Sequence, residues 1–190
     1  NRWPALRVPR LNEVYATDTL FANETALDGI TMAQLYCGRE SYLTDIFGMK
    51  EENEMPGTLL DFIRKWGAMD GLYSDNAKVQ TSYAIQDILH QYNINYMQCE
   101  PHMQHQNPAE RRIQEVKSMT NILMDRSGSP KWLWFKCMLY VVMILNCLAH
   151  PNLGMRTPIE VALGYTPDIS ALLCFVWSQP VFYFRTADKT

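Results

Sequence analysis

Apolar residues along the chain first alternate with polar ones, then recur at helical spacing, and the two periods trade places several times. In EVYATDTLFA, residues 13–22, the Val, Tyr, Thr and Phe content favours a strand. Val14, Ala16, Asp18 and Leu20 then share one face of it. An acid on an otherwise apolar face is costly to bury without a partner, which singles out Asp18. ITMAQLYC and SYLTDIFGM, residues 30–37 and 41–49, read as two more strands joined by a short turn. The period changes in TLLDFIRKWGAM, where Leu59, Leu60, Phe62, Ile63 and Trp66 lie at helical spacing.

DGLYSDNA reads as a turn at Asp70 and Gly71, then a brief strand with Asp75 at its end. SYAIQDILHQYN places Ile85, Ile88 and Leu89 on one side of a helix, and INYMQCE is a short strand. Asn107 suits a helix N-cap and Pro108 the first helical position, where its missing N–H costs nothing. That helix runs from Pro108 to about Arg126 and places Glu110 at its third position, where a carboxylate can also reach back to the cap. SGSP closes it, and an apolar helix follows from Lys131 to about His150. The tail is loop-like, with a short helix near Pro158 to Leu163 and a strand-like PVFYF. Residues 1–12, with Pro4 and Pro9, form an extended arm.

Three strands, helix, strand, helix, strand, helix, helix is an α/β order. Consecutive strands pair antiparallel and helix-separated strands pair parallel. The expected architecture is a five-stranded mixed sheet with helices on both faces.

Composition narrows the class. The chain has 190 residues, 47% of them apolar, enough for one domain with a sizeable core. It begins at Asn1 and reads as a piece cut from something longer. The net charge of −3 makes no overall electrostatic case for nucleic acid. Five scattered cysteines without a CxxC pair argue against a disulfide framework. Cys99, His102 and His105 have a zinc-like spacing but no evident fourth ligand. WLWFKCMLYVVMILNCLA carries Lys136 and Asn146, so a buried helix explains it better than a membrane span.

In an α/β sheet, strand ends and helix starts converge at one edge, where ligands bind. Asp18, Asp75 and Glu110 are expected there. Three carboxylates at one place repel unless a cation intervenes, and an oxygen-only set favours Mg²⁺ or Mn²⁺. Two such ions about 3.5–4 Å apart suit in-line displacement at phosphorus. An acid–base pair for sugar hydrolysis needs only two carboxylates and leaves the third unexplained.

This pattern resembles the Asp, Asp, Glu core of retroviral and retrotransposon integrases. Thirty-four residues separate Asp75 from Glu110, and the contexts agree: SDNA at 74–77, QNPAER at 106–111 and TPIEVALGYTPDIS at 157–170. The last is similar to the signature that follows the core in copia-type retrotransposon integrases. The resemblance extends from about Glu13 to Tyr183. It implies a ribonuclease-H-like fold over 13–165, a C-terminal extension of the core over 166–190, and Asp18, Asp75 and Glu110 as ligands of two Mg²⁺ ions. The implied reaction joins 3′-hydroxyl ends of element DNA to target DNA, with 3′-end trimming in some relatives. The implied partners are double-stranded DNA, further copies of the chain, and the zinc-binding and C-terminal domains of a parent polyprotein, with no membrane. The setting would be nuclear at integration and a cytoplasmic particle before it.

Gln106 and Asn107 precede the glutamate in a loop that touches DNA in such integrases, and Arg111 follows it. Gln114 and Lys117 lie four and seven residues beyond Glu110 on the same helix face, where Lys117 can bind a phosphate. The sequence departs from many relatives in lacking a glycine after Asp75-Asn76 and in placing Pro108 where many copia-type chains have Gly. A cut-only nuclease or transposase of the same fold, or a decayed element copy kept as a binding or interaction module, would share these features.

Overall fold

The computed structural model describes residues 7–74, 82–98, 108–174 and 176–180. In it, β1 (Arg10–Phe21), β2 (Met32–Gly38) and β3 (Thr44–Met49) form an antiparallel meander. Helix α1 (Met55–Trp66) leads to β4 (Ala68–Ser74), and α2 (Tyr83–Gln91) to β5 (Asn95–Gln98). Strands β1, β4 and β5 pair in parallel, giving a five-stranded sheet of order β3-β2-β1-β4-β5. Helices α3 (Pro108–Ser127), α4 (Trp134–Cys147), α5 (Pro158–Leu163) and α6 (Ser170–Cys174) complete the chain.

Each face of the sheet has its own core. On one, Leu59, Phe62 and Ile63 of α1 and Ile85, Ile88 and Leu89 of α2 pack on Leu11, Tyr15 and Leu72. On the other, Ala109, Ile113 and Val116 of α3 and Phe135, Met138 and Val142 of α4 pack on Ala16, Leu20 and Leu35. Each fully buried Leu, Ile or Phe contributes about 1.5–3 kcal/mol. The apolar segment at 132–149 thus holds a core helix over Trp134–Cys147, and no helix among the described residues is long and apolar enough to cross a membrane.

Three boundaries differ from expectation. Strand β1 begins at Arg10 rather than Glu13, because Arg10 and Leu11 pair with Ala68 and Met69. The Arg10 guanidinium fastens that end to Asp70 at 3.2 Å and to the Tyr92 carbonyl at 2.7 Å. Asp70 and Gly71 are strand residues, not a turn: Gly71 pairs with Val14 on one side and with Asn95 on the other. A Cβ at Gly71 would lie 3.1 Å from Met97 Cε and 3.3 Å from Val14 Cγ2, so the bare backbone lets three strands approach. Helix α4 ends at Cys147, since Leu148 turns extended at φ −87°, ψ 140° ahead of Pro151. The strand-like PVFYF lies outside the described residues apart from Pro180.

Buried polar groups lock the hairpins. The Glu13 carboxylate accepts from the backbone N–H groups of Glu40 and Ser41 at 3.0 and 2.9 Å and from the Ser41 hydroxyl, which holds the β2–β3 turn. Thr44, at the start of β3, meets both helices of its face. Its backbone N–H donates to Asn146 Oδ1 at 2.9 Å, and its carbonyl accepts from Asn146 Nδ2 at 2.6 Å. Its hydroxyl accepts from Arg112 Nε at 2.9 Å.

Candidate active site

Strand β1 and helix α3 bring two of the three expected acids to one face. Ala16 and Leu20 lie in the core shared with α3, and strand alternation puts Asp18 between them on that same face. Asp18 pairs with Leu35 of β2, is half-buried, and accepts from the Thr19 N–H at 2.8 Å. Helix α3 begins at Pro108, which makes Glu110 its third residue, also half-buried. Its neighbour Ala109 is fully buried, and Ile113, one turn on, packs into the same core. The first turn of α3 is therefore held against the face that carries Asp18.

Asp75 lies outside the described residues, as do Gln106 and Asn107. The described chain reaches Ser74, the last residue of β4, where Ser74 Oγ and the Tyr96 hydroxyl are 2.9 Å apart. One position earlier, Tyr73 pairs with Ala16 of β1. The Arg39 guanidinium lies 5.4 Å from the centre of the Tyr73 ring, a cation at the end of this strand. Among the described residues, no three His, Cys, Asp or Glu side chains are grouped closely enough to hold a metal ion.

The two arginines after Glu110 separate. Arg111 is exposed, as are Gln114 and Lys117. Arg112 is only 5% exposed and is structural: it bonds to Thr44 and pairs with Glu115 at 2.7 Å. Helical spacing carried that signal, because Ala109, Arg112, Val116 and Thr120 form one buried stripe. A further lysine, Lys131, stands in the sequence only as the start of the apolar helix. It lies after the α3–α4 turn and lines, with Lys117, a cavity of about 520 Å³. The apolar side of that cavity comes from Leu20, Met124, Trp134 and Met138.

The strand order and the helix placement define a ribonuclease-H-like domain of the type found in retroviral integrase catalytic cores. The HTLV-2 integrase catalytic core, solved in complex with magnesium in a trimeric form, superposes with a TM-score of 0.63 at 16% identity, covering 82% of this chain and 99% of that one. A chain of the simian T-cell lymphotropic virus intasome, solved with the PP2A regulatory subunit B56 gamma, gives a TM-score of 0.67 at 13% identity, over 97% of this chain and 65% of that one. In sequence, the chain is 24% identical over 158 residues to the retrovirus-related Pol polyprotein from transposon RE2 of Arabidopsis thaliana. That alignment covers 77% of this chain but 11% of the relative's length. No protein-family model matches the chain.

Proposed function

We propose that the chain is the catalytic core of a DNA integrase from a copia-type retrotransposon, with Asp18, Asp75 and Glu110 as its metal-binding acids. The observation that carries this reading is the shared face: β1 presents Asp18 on the side where the first turn of α3 holds Glu110. The parallel register supports the third acid. Ala16 pairs with Tyr73, and Asp18 and Asp75 each follow two residues later in sequence.

The donor set fits a hard divalent cation, because carboxylate oxygens are the ligands Mg²⁺ and Mn²⁺ prefer. The solved HTLV-2 core holding magnesium is consistent with that choice. Two such ions, when bound, supply Lewis acidity for both the attacking and leaving oxygens. The chain's own contribution is positional. Strand β1, central in the sheet, fixes Asp18, and the buried stripe of α3 fixes the helix that carries Glu110. Gln114 and Lys117 face solvent along α3, where Lys117 can pair with a phosphate and set the strand's position without reading sequence. In the transfer itself, a 3′-hydroxyl of element DNA forms a new P–O bond to a target phosphodiester. The target's 3′-oxygen leaves, and the hydroxyl proton passes to solvent. With water in place of the hydroxyl, the same geometry trims the 3′ ends.

The likeness to a chain of an intasome supports assembly of several copies on double-stranded DNA, together with the other domains of a parent polyprotein. A strand-transfer assay in Mg²⁺ tests the proposal, with those domains supplied and Asp75→Asn as the comparison. Joined products that vanish in the variant support it. Cleavage without joining points to a cut-only nuclease. Absence of both points to a binding module of decayed activity.

A further inference from the structure

Two threonines flank Asp18 on β1, and one glutamine holds both. Strand alternation turns Thr17 and Thr19 to the face opposite Asp18, the face covered by α1 and α2. Gln34 of β2 lies on that face too, since its neighbours Ala33 and Leu35 pack in the other core. It pairs directly with Thr19, and Thr17 stands diagonally from it. Thr19 Oγ1 donates to Gln34 Oε1 at 2.6 Å, and Gln34 Nε2 donates to Thr17 Oγ1 at 2.6 Å. Thr17 Oγ1 donates in turn, at 2.8 Å, to the carbonyl of Leu35, the residue paired with Asp18. The direction of this chain is fixed: the Thr17 hydroxyl gives its one proton to a carbonyl, so it must accept from the amide N–H.

Gln34 and Thr17 are both 0% exposed. An amide buried in a sheet is costly unless it is bonded, and apolar residues of the same shape would serve stability about as well. What apolar residues cannot supply is direction. Hydrogen bonds to both neighbours of Asp18 set the side-chain rotamers of Thr17 and Thr19 and hold the β1 backbone between them. Thr19 carries this order to the acid, because its backbone N–H donates to Asp18 Oδ1 at 2.8 Å. Gln34 therefore reaches the carboxylate through two hydrogen bonds joined by one residue.

We infer that Gln34 is a positioning residue for Asp18: from the opposite face of the sheet, it fixes the orientation in which the carboxylate meets a divalent cation. Ligands of a working site are held within about 0.5 Å and about 10–20° of the productive geometry, and hydrogen bonds behind them do that holding. The inference rests on the integrase reading for the cation, whereas the clamp on Asp18 is observable without one.

The test uses the full chain and two readouts: the Thr19 amide proton in ¹H–¹⁵N NMR spectra, and Mn²⁺ affinity from electron paramagnetic resonance. Asp18→Asn identifies the Mn²⁺ binding that depends on this acid. Gln34→Met keeps the volume and removes both amide bonds. It should move the Thr19 amide signal upfield, as a loosened bond to the carboxylate does, and weaken Asp18-dependent Mn²⁺ binding about tenfold or more. Thr19→Val, at a half-buried position, should do the same, and Thr19→Ser, which keeps the hydroxyl, should stay within about twofold of the parent. These two variants decide the matter if Gln34→Met does not fold. The double variant of Gln34→Met and Thr19→Val should bind no more weakly than the weaker single one, because both break one path. Tyr36→Phe controls for lost stability: it removes the 2.9 Å bond to Thr58, on the same strand and face, and should leave both readouts in place. Asp18-dependent binding unchanged in Gln34→Met or Thr19→Val, or weakened equally in Tyr36→Phe, overturns the positioning role and leaves the integrase reading intact. Mn²⁺ binding that Asp18→Asn does not weaken removes the integrase reading and the inference with it, even where the Thr19 signal moves.

Discussion

Replacing Asn146 by Ala should cost more stability than its size suggests, because the lost partner is backbone. Asn146 is 5% exposed, and its amide accepts from the Thr44 N–H at 2.9 Å and donates to the Thr44 carbonyl at 2.6 Å. The residues are 102 positions apart, so this is the tie between the α4 end and the start of β3. Alanine leaves both backbone groups without these bonds. Each buried, unsatisfied group costs about 1–3 kcal/mol, so the pair costs about 2–6 kcal/mol, with about 4 as the central expectation. For a domain of this size, about 2–4 °C of Tm is lost per kcal/mol, giving a fall of about 8–16 °C. Urea and thermal unfolding measure it, with Met143→Ala as control. Met143 is on the same helix and 45% exposed, so its truncation should stay within about 0.5 kcal/mol. A loss below about 1 kcal/mol at Asn146 would refute the claim that these bonds hold β3 to α4.

Arg112→Leu should lower stability and also weaken strand transfer, because it loosens α3 two residues from Glu110; Arg111→Leu should leave stability within about 0.5 kcal/mol. Unfolding curves of the two variants, side by side, check the contrast. Lys117→Ala should weaken DNA binding uniformly across sequences and reduce the slope of log K against log salt by about 0.9, as anisotropy titrations at several salt concentrations would show. Burial pushes the Cys137 thiol up to about 11. The folded chain thus favours the neutral thiol. That stabilisation is complete below the ordinary thiol range, near ~8.5, and is lost as pH rises from there through about 11. The drop in urea midpoint between pH 8 and pH 10.5 should therefore be smaller in Cys137→Ala than in the parent chain.

Strand number and the mixed sheet were readable because each strand carried its own period and each connection its own length; the order was not, since β4 pairs with β1 and not with β3, which precedes it in the chain. The antiparallel meander and the parallel pairing of β4 with β5 followed from those facts. Asp70-Gly71 misled because the pair is a common turn signal, whereas here the missing side chain serves close packing between Val14 and Met97. Arg10 was assigned to an arm because Pro9 precedes it; its pairing with Asp70 and the Tyr92 carbonyl depends on residues some sixty and eighty positions away. At the site, the placement of Glu110 was legible from the cap residues before it. The separate fates of Arg111 and Arg112 were legible only through the buried stripe around Arg112. Lys131 carried no local signal, since what makes it notable is the cavity it shares with a lysine fourteen positions earlier.

In the proposed site, oxygens from Asp18, Asp75 and Glu110 gather around a shared pair of divalent ions. Crystals soaked in Mn²⁺, with anomalous scattering to locate the metal, test it directly. Two Mn²⁺ peaks about 3.5–4 Å apart are expected, each within carboxylate bonding distance of at least one of the three, and lost in Glu110→Gln or Asp18→Asn. Manganese bound elsewhere, or any of the three carboxylates too far from the others to share an ion, would contradict it.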